Sequence, residues 1–315
     1  MLLEEMRRRG AVEPTAVSYE SAIHACARAG AWARAVGLLD EMARHGVEPN
    51  ERSYASAIDA CAKVGAWERA VGLLETMARR GVEPGERSYT SAVDACAKGG
   101  AWERALEMVG RMGRRGVAPT LTTYGAALSA CARAAQPERA LSLFASLERA
   151  GLAPSRDCWG ILLDAVRDRE RARRLMRRMV AQGHLAGAEQ TVGDAPALDL
   201  HAVTSEGAAE AAVRWWLDER LPGRLAAGEL AAPRRVVLVT GYGKSREPGQ
   251  TGSLKRRALA VASELGTVVE QPNPGRVVVE WPLEAPRGAL RGGRGWARRA
   301  WNCSWLVGQR LMSQD

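Results

Sequence analysis

The sequence predicts an α-solenoid of 35-residue helical hairpins followed by a small α/β sandwich domain, and three observations carry that expectation. Cys26, Cys61, Cys96 and Cys131 stand 35 residues apart, and Tyr19, Tyr54, Tyr89 and Tyr124 keep the same interval. Gly46, Gly81, Gly116 and Gly151 hold it too, as do Pro49, Pro84, Pro119 and Pro154, so every unit closes on one signal. Near Ala186 this period stops, and strand-like and helix-like segments alternate in the order β-α-β-α-β-β. A repeat of this length is one supersecondary unit that buries its apolar stripe only by stacking on its neighbours.

Within residues 16–50, Tyr19, Ala22, Ile23 and Cys26 fall at the i, i+3, i+4 and i+7 spacing of one helical face. Trp32, Ala35, Val36, Leu39 and Met42 give a second helix, with Ala29, Gly30 and Ala31 as the connection. The Gly of each GVEP-type ending supplies a left-handed cap, and the Pro cannot continue the helix. Full units therefore run 16–50, 51–85, 86–120 and 121–155, with a degenerate fifth at 156–185 that has Trp159 in the tyrosine place. Three residues are missing between its helices, because Trp159 to Gly183 spans 24 residues where Tyr124 to Gly151 spans 27. Residues 1–15 read as a partial hairpin, and the expectation is that further repeats and any targeting peptide precede Met1.

Residues 186–196 read as a linker, and the α/β domain as 197–285. A short strand is expected through Leu198 and Leu200, then a helix from Glu206 to about Leu221, broken by Pro222 and Gly223. Val236–Val239 read as a strand buried on both faces. A Gly-rich loop TGYGKSREPGQTG, a helix from Ser253 to about Leu265, and two strands around NPG complete the domain. Residues 286–315, with six Lys+Arg against one Asp+Glu, read as a basic, disordered tail or as sequence without a role.

The net charge is +9, distributed as +6 over residues 1–185, −2 over 186–285 and +5 over 286–315. Such a balance suits a polyanionic partner. No run reaches the roughly 18 apolar residues a membrane helix needs. The repeated cysteines lie one per helix on an apolar stripe and never as Cys-x-x-Cys, which argues for buried thiols and against both a disulfide framework and a zinc site.

The 35-residue period, the Tyr at the fourth place, the ACAK/ACAR runs and the GVEP endings resemble the pentatricopeptide repeat family over residues 1 to about 185. The resemblance implies single-stranded RNA bound along the first helices, one base per unit, read by the fifth and last residues. Those pairs are Glu20 with Asn50, Ala55 with Gly85, Thr90 with Thr120, and Gly125 with Ser155. Ala55, Gly85 and Gly125 offer no polar side-chain atom, so Thr90 with Thr120 is the pair expected to discriminate and the second unit is expected to be mute. At the second place stand Val17, Arg52, Arg87 and Thr122, where the arginines stack on bases, hold phosphates, or simply remain solvated.

LDLH, TGYGKS and NPGRVVVE resemble the small MutS-related domain over residues 197–284, and the tandem resembles a class of organellar RNA-binding proteins. That likeness implies nucleolytic activity and a chloroplast or mitochondrial location. Its motif positions here are Leu198, Asp199, Leu200 and His201, then Thr240, Gly241, Tyr242 and Gly243. The chain departs from the family pattern at Ala202, commonly Gly, and at Ser245, where plant relatives usually carry His.

On chemical grounds Asp199 suits a divalent cation (Mg2+ or Mn2+) or a base, and His201 a proton shuttle. Gly241 and Gly243 would let backbone N–H groups approach a phosphate, with Lys244, Arg246, Lys255, Arg256 and Arg257 neutralising charge. The simpler readings are a hydrogen-bonded Asp199–His201 pair fixing a loop and a tight strand-to-helix turn. Three functions follow: an RNA-binding protein that also processes RNA, a protein-binding helical scaffold, or a DNA-nicking protein.

Overall fold

The structure is a computed structural model that describes residues 14–230, 233, 235–240, 253–265, 267–269 and 276–280. The partial hairpin before Pro14, the Gly-rich loop from Gly241, the NPG turn and the tail with Cys303 lie outside the described residues. The chain packs as two compact units that divide between Ala165 and Val166.

The first unit is built from antiparallel helix pairs: α1 (Ala16–Ala29) with α2 (Trp32–Arg44), α3 (Glu51–Val64) with α4 (Trp67–Arg79), α5 (Glu86–Lys98) with α6 (Trp102–Arg114), and α7 (Leu121–Arg133) with α8 (Pro137–Arg149), closed by α9 (Arg156–Ala165). Each first helix packs on the first helix of the next pair, so α1, α3, α5, α7 and α9 form one continuous layer. Each second helix packs on its own first helix and on the first helix that follows. The expected stripes make this core: Tyr19, Ile23, Ala35, Leu39, Met42, Tyr54 and Met77 are buried in one cluster, with Ala22, Cys26 and Trp32 partly buried against it. Cys61, Cys96 and Cys131 are buried and free, and Cys26 is half-buried.

Gly46, Gly81, Gly116 and Gly151 take left-handed φ values of 72° to 75°. At the first of these the Val47 N–H donates to the Met42 carbonyl at 3.1 Å, the long bond of a Schellman ending. Between paired helices a second left-handed position recurs at Gly30, Gly65 and Gly100, but in the fourth pair Ala135 stands there with φ 52°. A Cβ in that region costs roughly 1–2 kcal/mol, part of which glycine returns as extra freedom of the unfolded chain. Ala135→Gly is therefore expected to raise stability by about 0.5–1 kcal/mol, read as a higher urea midpoint at unchanged m-value.

The second unit begins with α10 (Arg169–Ala181), the segment expected to be the second helix of the fifth repeat. It packs on α11 (Glu206–Trp215) and is tied by Arg173 and Arg177 to Glu219 and by Arg169 to Glu264 at 3.4 Å. The deletion between the fifth pair's helices leaves only Val166–Asp168 as connection, and the compact boundary falls there. Five strands form a sheet in the order β1-β2-β3-β5-β4: β1 (Glu189–Val192), β2 (Ala195–Asp199), β3 (Arg235–Val239), β4 (Thr267–Val269) and β5 (Arg276–Glu280). Only β2 and β3 are parallel; the other neighbours are antiparallel.

The expected β-α-β-α-β-β order is present from β2 onward, with corrections. The segment 186–196 is not a plain linker, because β1 lies in it and pairs with β2. β2 ends at Asp199, and Leu200–Ala202 form a 3-10 turn rather than a strand. Pro222 does not break the helix. α11 passes through a π-helical stretch at Trp216–Arg220 and continues as α12 (Leu221–Ala226). The Leu221 N–H reaches back to the Trp216 carbonyl, so the ladder is already offset by one residue where the proline, which lacks a donor, enters. Val236, Val237 and Leu238 are all buried, as a strand covered on both faces requires. The helix after the Gly-rich loop, α13 (Ser253–Leu265), packs on α11, β4 and β5.

Candidate nucleic-acid interface

The last residue of each repeat is also the N-cap of the next first helix, and this double duty orients its side chain. Asn50 Oδ1 accepts from the Ser53 N–H at 3.0 Å, which leaves the Asn50 amide N–H2 to face outward as donor. Thr120 caps α7 in the same way through Thr123, and Ser155 Oγ accepts from the Cys158 N–H at 3.2 Å. Gly85 has no side chain to cap α5, and Ser88 Oγ is consequently buried without a partner.

The outward donors of Asn50 and Thr120 are engaged by carboxylates. Asn50 Nδ2 donates to Glu20 Oε1 at 2.7 Å, joining the fifth and last residues of the first unit directly. Thr90 and Thr120 both donate to Glu86 Oε1, at 3.2 and 3.1 Å, and Thr90 lies 2.7 Å from the Thr123 hydroxyl. At Gly85, an added Cβ would lie 2.5 Å from Glu51 Oε1. Ala55 is only 2% exposed, so the fifth place of the second unit presents no surface, whereas Gly125 is half-buried. Glu51 and Glu86 were not among the residues singled out from sequence. Their signal was present as the acidic first residue of a unit, one place after the helix cap.

The second-place column is solvent-facing throughout. Val17 is 69% exposed, and Arg52, Arg87 and Thr122 are exposed. Arg52 lies 3.8 Å from Glu20 Oε2, and Arg87 has no ion pair among the described residues. The division at Ala165 also redistributes charge: residues 1–165 carry 21 Lys+Arg against 20 Asp+Glu, a net +1, because seven arginines between 167 and 178 fall in the second unit. The array is thus nearly neutral, and its exposed arginines rather than its bulk charge are available to phosphates.

In the second unit, Asp199 and Val239 are register partners on the parallel strands β2 and β3, so the LDLH motif and Thr240 emerge side by side at the carboxyl ends of the two strands. Open α/β sheets place ligands at this edge. Asp199 Oδ1 accepts from the His201 N–H at 2.9 Å and from His201 Nδ1, capping the 3-10 turn. The contact with Asp199 engages Nδ1 of the ring, so Nε2 is the ring nitrogen it leaves free of that carboxylate. The pair fixes the turn that follows β2.

Gly241, Gly243 and Lys244, with Tyr242 and Arg246, lie outside the described residues. Arg257 pairs with Glu210, while Arg256 is exposed. Among the described residues no group of three or more His, Cys, Asp or Glu could hold a metal ion. Asp199 supplies a single carboxylate at this edge, and Mg2+ is commonly held by one or two carboxylates together with waters and substrate phosphates. No described helix is long and apolar enough to cross a membrane.

A family model described as the pentacotripeptide-repeat region of PRORP matches residues 6–183. The crystal structure of the pentatricopeptide repeat protein PPR10 from maize superposes with a TM-score of 0.52 at 25% identity, covering 74% of this chain and 32% of that one. The PPR domain of Arabidopsis thaliana protein-only RNase P 1, solved in complex with tRNA, gives 0.49 at 22% identity over 57% of this chain and 93% of that one. This chain therefore spans about a third of the maize protein and nearly all of the Arabidopsis domain. A comparison with curated proteins finds no match.

Proposed function

The chain belongs to the pentatricopeptide-repeat family, and on that premise we propose that its repeats hold single-stranded RNA along the layer of first helices while the C-terminal unit acts on the bound strand. The observation that carries the RNA reading is the outward column of second-place residues beside the helix caps. Arg52 and Arg87 stand exposed in it at the interval of one repeat. Guanidinium groups at that interval can contact successive phosphates or stack on successive bases.

The C-terminal unit resembles the small MutS-related domain, and the Asp199–His201 pair at the β2 edge supports nucleolysis there. In RNA the neighbouring 2′-hydroxyl is the natural nucleophile. His201 Nε2 takes its proton, the 2′-oxygen attacks phosphorus, and the 5′-oxygen leaves with a proton from water. The family likeness also points to an organelle as the place of action.

One experiment tests both halves. Affinity for a labelled single-stranded RNA is measured against salt, and the RNA is then incubated with and without Mg2+. Each phosphate contact adds about 0.7 to the slope of log K on log salt for single strands. Arg52→Ala with Arg87→Ala is expected to lower the slope by about 1.4 if both hold phosphates. Negligible binding at low salt defeats the RNA reading. Cleavage by the wild type that persists in His201→Ala defeats the catalytic assignment, and binding without cleavage by the wild type leaves a holding protein only.

A further inference from the structure

The second repeat is the one whose fifth and last residues, Ala55 and Gly85, carry nothing that reaches a base. Yet its place at Gly85 is filled. Glu51 Oε1 lies 2.5 Å from where a Gly85 Cβ would stand, and Glu51 makes no hydrogen bond or ion pair among the described residues. In the third repeat Glu86 accepts from Thr90 and Thr120, the fifth and last residues, through a single oxygen. Both glutamates are the first residue of their unit, and both are exposed. Their carboxylates hence occupy corresponding positions in adjacent units, at the column where bases are read.

Resting on the RNA reading above, we infer that Glu51 and Glu86 select guanine at two adjacent bases, replacing the fifth-and-last pair in the second unit and completing it in the third. A carboxylate is acceptor-only, with about four lone-pair sites over its two oxygens, so Glu86 keeps capacity after binding both threonines. Guanine is the one base with two adjacent donors on its Watson–Crick edge, N1–H and N2–H2. Adenine and cytosine set one amino group beside a ring acceptor, and uracil sets N3–H between two carbonyls; each brings a lone pair against the carboxylate. The Thr90 and Thr120 protons are directed to Glu86, so the threonine oxygens reinforce an all-acceptor surface. A glutamate in the first turn also favours its helix dipole, but that role is indifferent to base identity.

The test is selection of RNA from a pool with a short random core by the full chain, followed by sequencing, for the wild type and for the double variant E51Q/E86Q. Glutamine keeps the size of each exposed side chain but offers one donor and one acceptor, the complement of adenine. The wild type is expected to enrich adjacent guanines by roughly 5- to 150-fold per position over other bases, the range of a bidentate contact. The variant, with an unchanged circular-dichroism melt, is expected to shift its preference to adenine. RNA bound with no guanine pair enriched, or with the same preference in both proteins, overturns the inference while leaving RNA binding intact. No RNA bound by the wild type removes the RNA reading and the inference together.

Discussion

Trp159→Ala is expected to lower the stability of the repeat array by about 3–5 kcal/mol, the range for truncating a buried aromatic side chain. Trp159 has no exposed surface, and its ring lies 4.6 Å from that of Phe144 at an interplanar angle of 58°. It stands where the other units have tyrosine, and it joins α8 to α9 at the end of the first compact unit. Because each repeat is supported mainly by its neighbours, the loss should be local first. Hydrogen exchange should accelerate in α7, α8 and α9 while α1 to α4 keep their protection. A urea midpoint that moves by the equivalent of less than about 1 kcal/mol would show that the array closes elsewhere.

Raising the pH from 9 to 11 is expected to cost the array several kcal/mol. Burial pushes the Cys61, Cys96 and Cys131 thiols from 9.0 up to about 11, with Arg69, Arg104 and Arg139 opposing weakly. The folded state holds a proton that the unfolded chain releases, so the stability from each thiol is full below pH 9 and lost as pH approaches 11. Each thiol contributes a fall of about 1.4 kcal/mol per pH unit in that window, and at most about 2.7 kcal/mol in all. Urea unfolding of wild type and Cys96→Ala at several pH values separates this from other titrations. The variant's stability should fall less steeply, by one thiol's share, and identical slopes would mean that Cys96 ionises freely in the folded chain. Thiolate is the reactive form, so Cys61, Cys96 and Cys131 are expected to react slowly with thiol reagents in the folded chain.

Most of the repeat fold was legible because it is local and reiterated. The Tyr, Cys, Met, Gly and Pro intervals specify helix faces and caps within one hairpin, and four copies of the same register leave little room for another reading. What went unread depended on contacts between segments far apart in the chain. That α10 joins the second unit follows from Arg173 and Arg177 meeting Glu219, and Arg169 meeting Glu264, pairings that no periodicity announces. Pro222 looked like a helix end because a lone proline removes a donor, but a π-helical offset just upstream absorbs it. β1 was hidden in a segment too short and polar to read as a strand until β2 paired with it.

For the candidate sites the division is the same. Register, and with it the columns of second, fifth and last residues, was readable along the chain, because chain periodicity maps directly onto stacked helices. The sequence also placed Asp199 and His201 at the end of a strand. What fills those columns depends on packing. Asn50, Thr120 and Ser155 turn their oxygens inward as helix caps, Ala55 is covered, and Glu51 and Glu86 reach the last residue of their own unit across 34 positions of sequence. A contact between the two ends of one hairpin is set by how neighbouring hairpins stack, and that is a property of packed helices rather than of any run of residues.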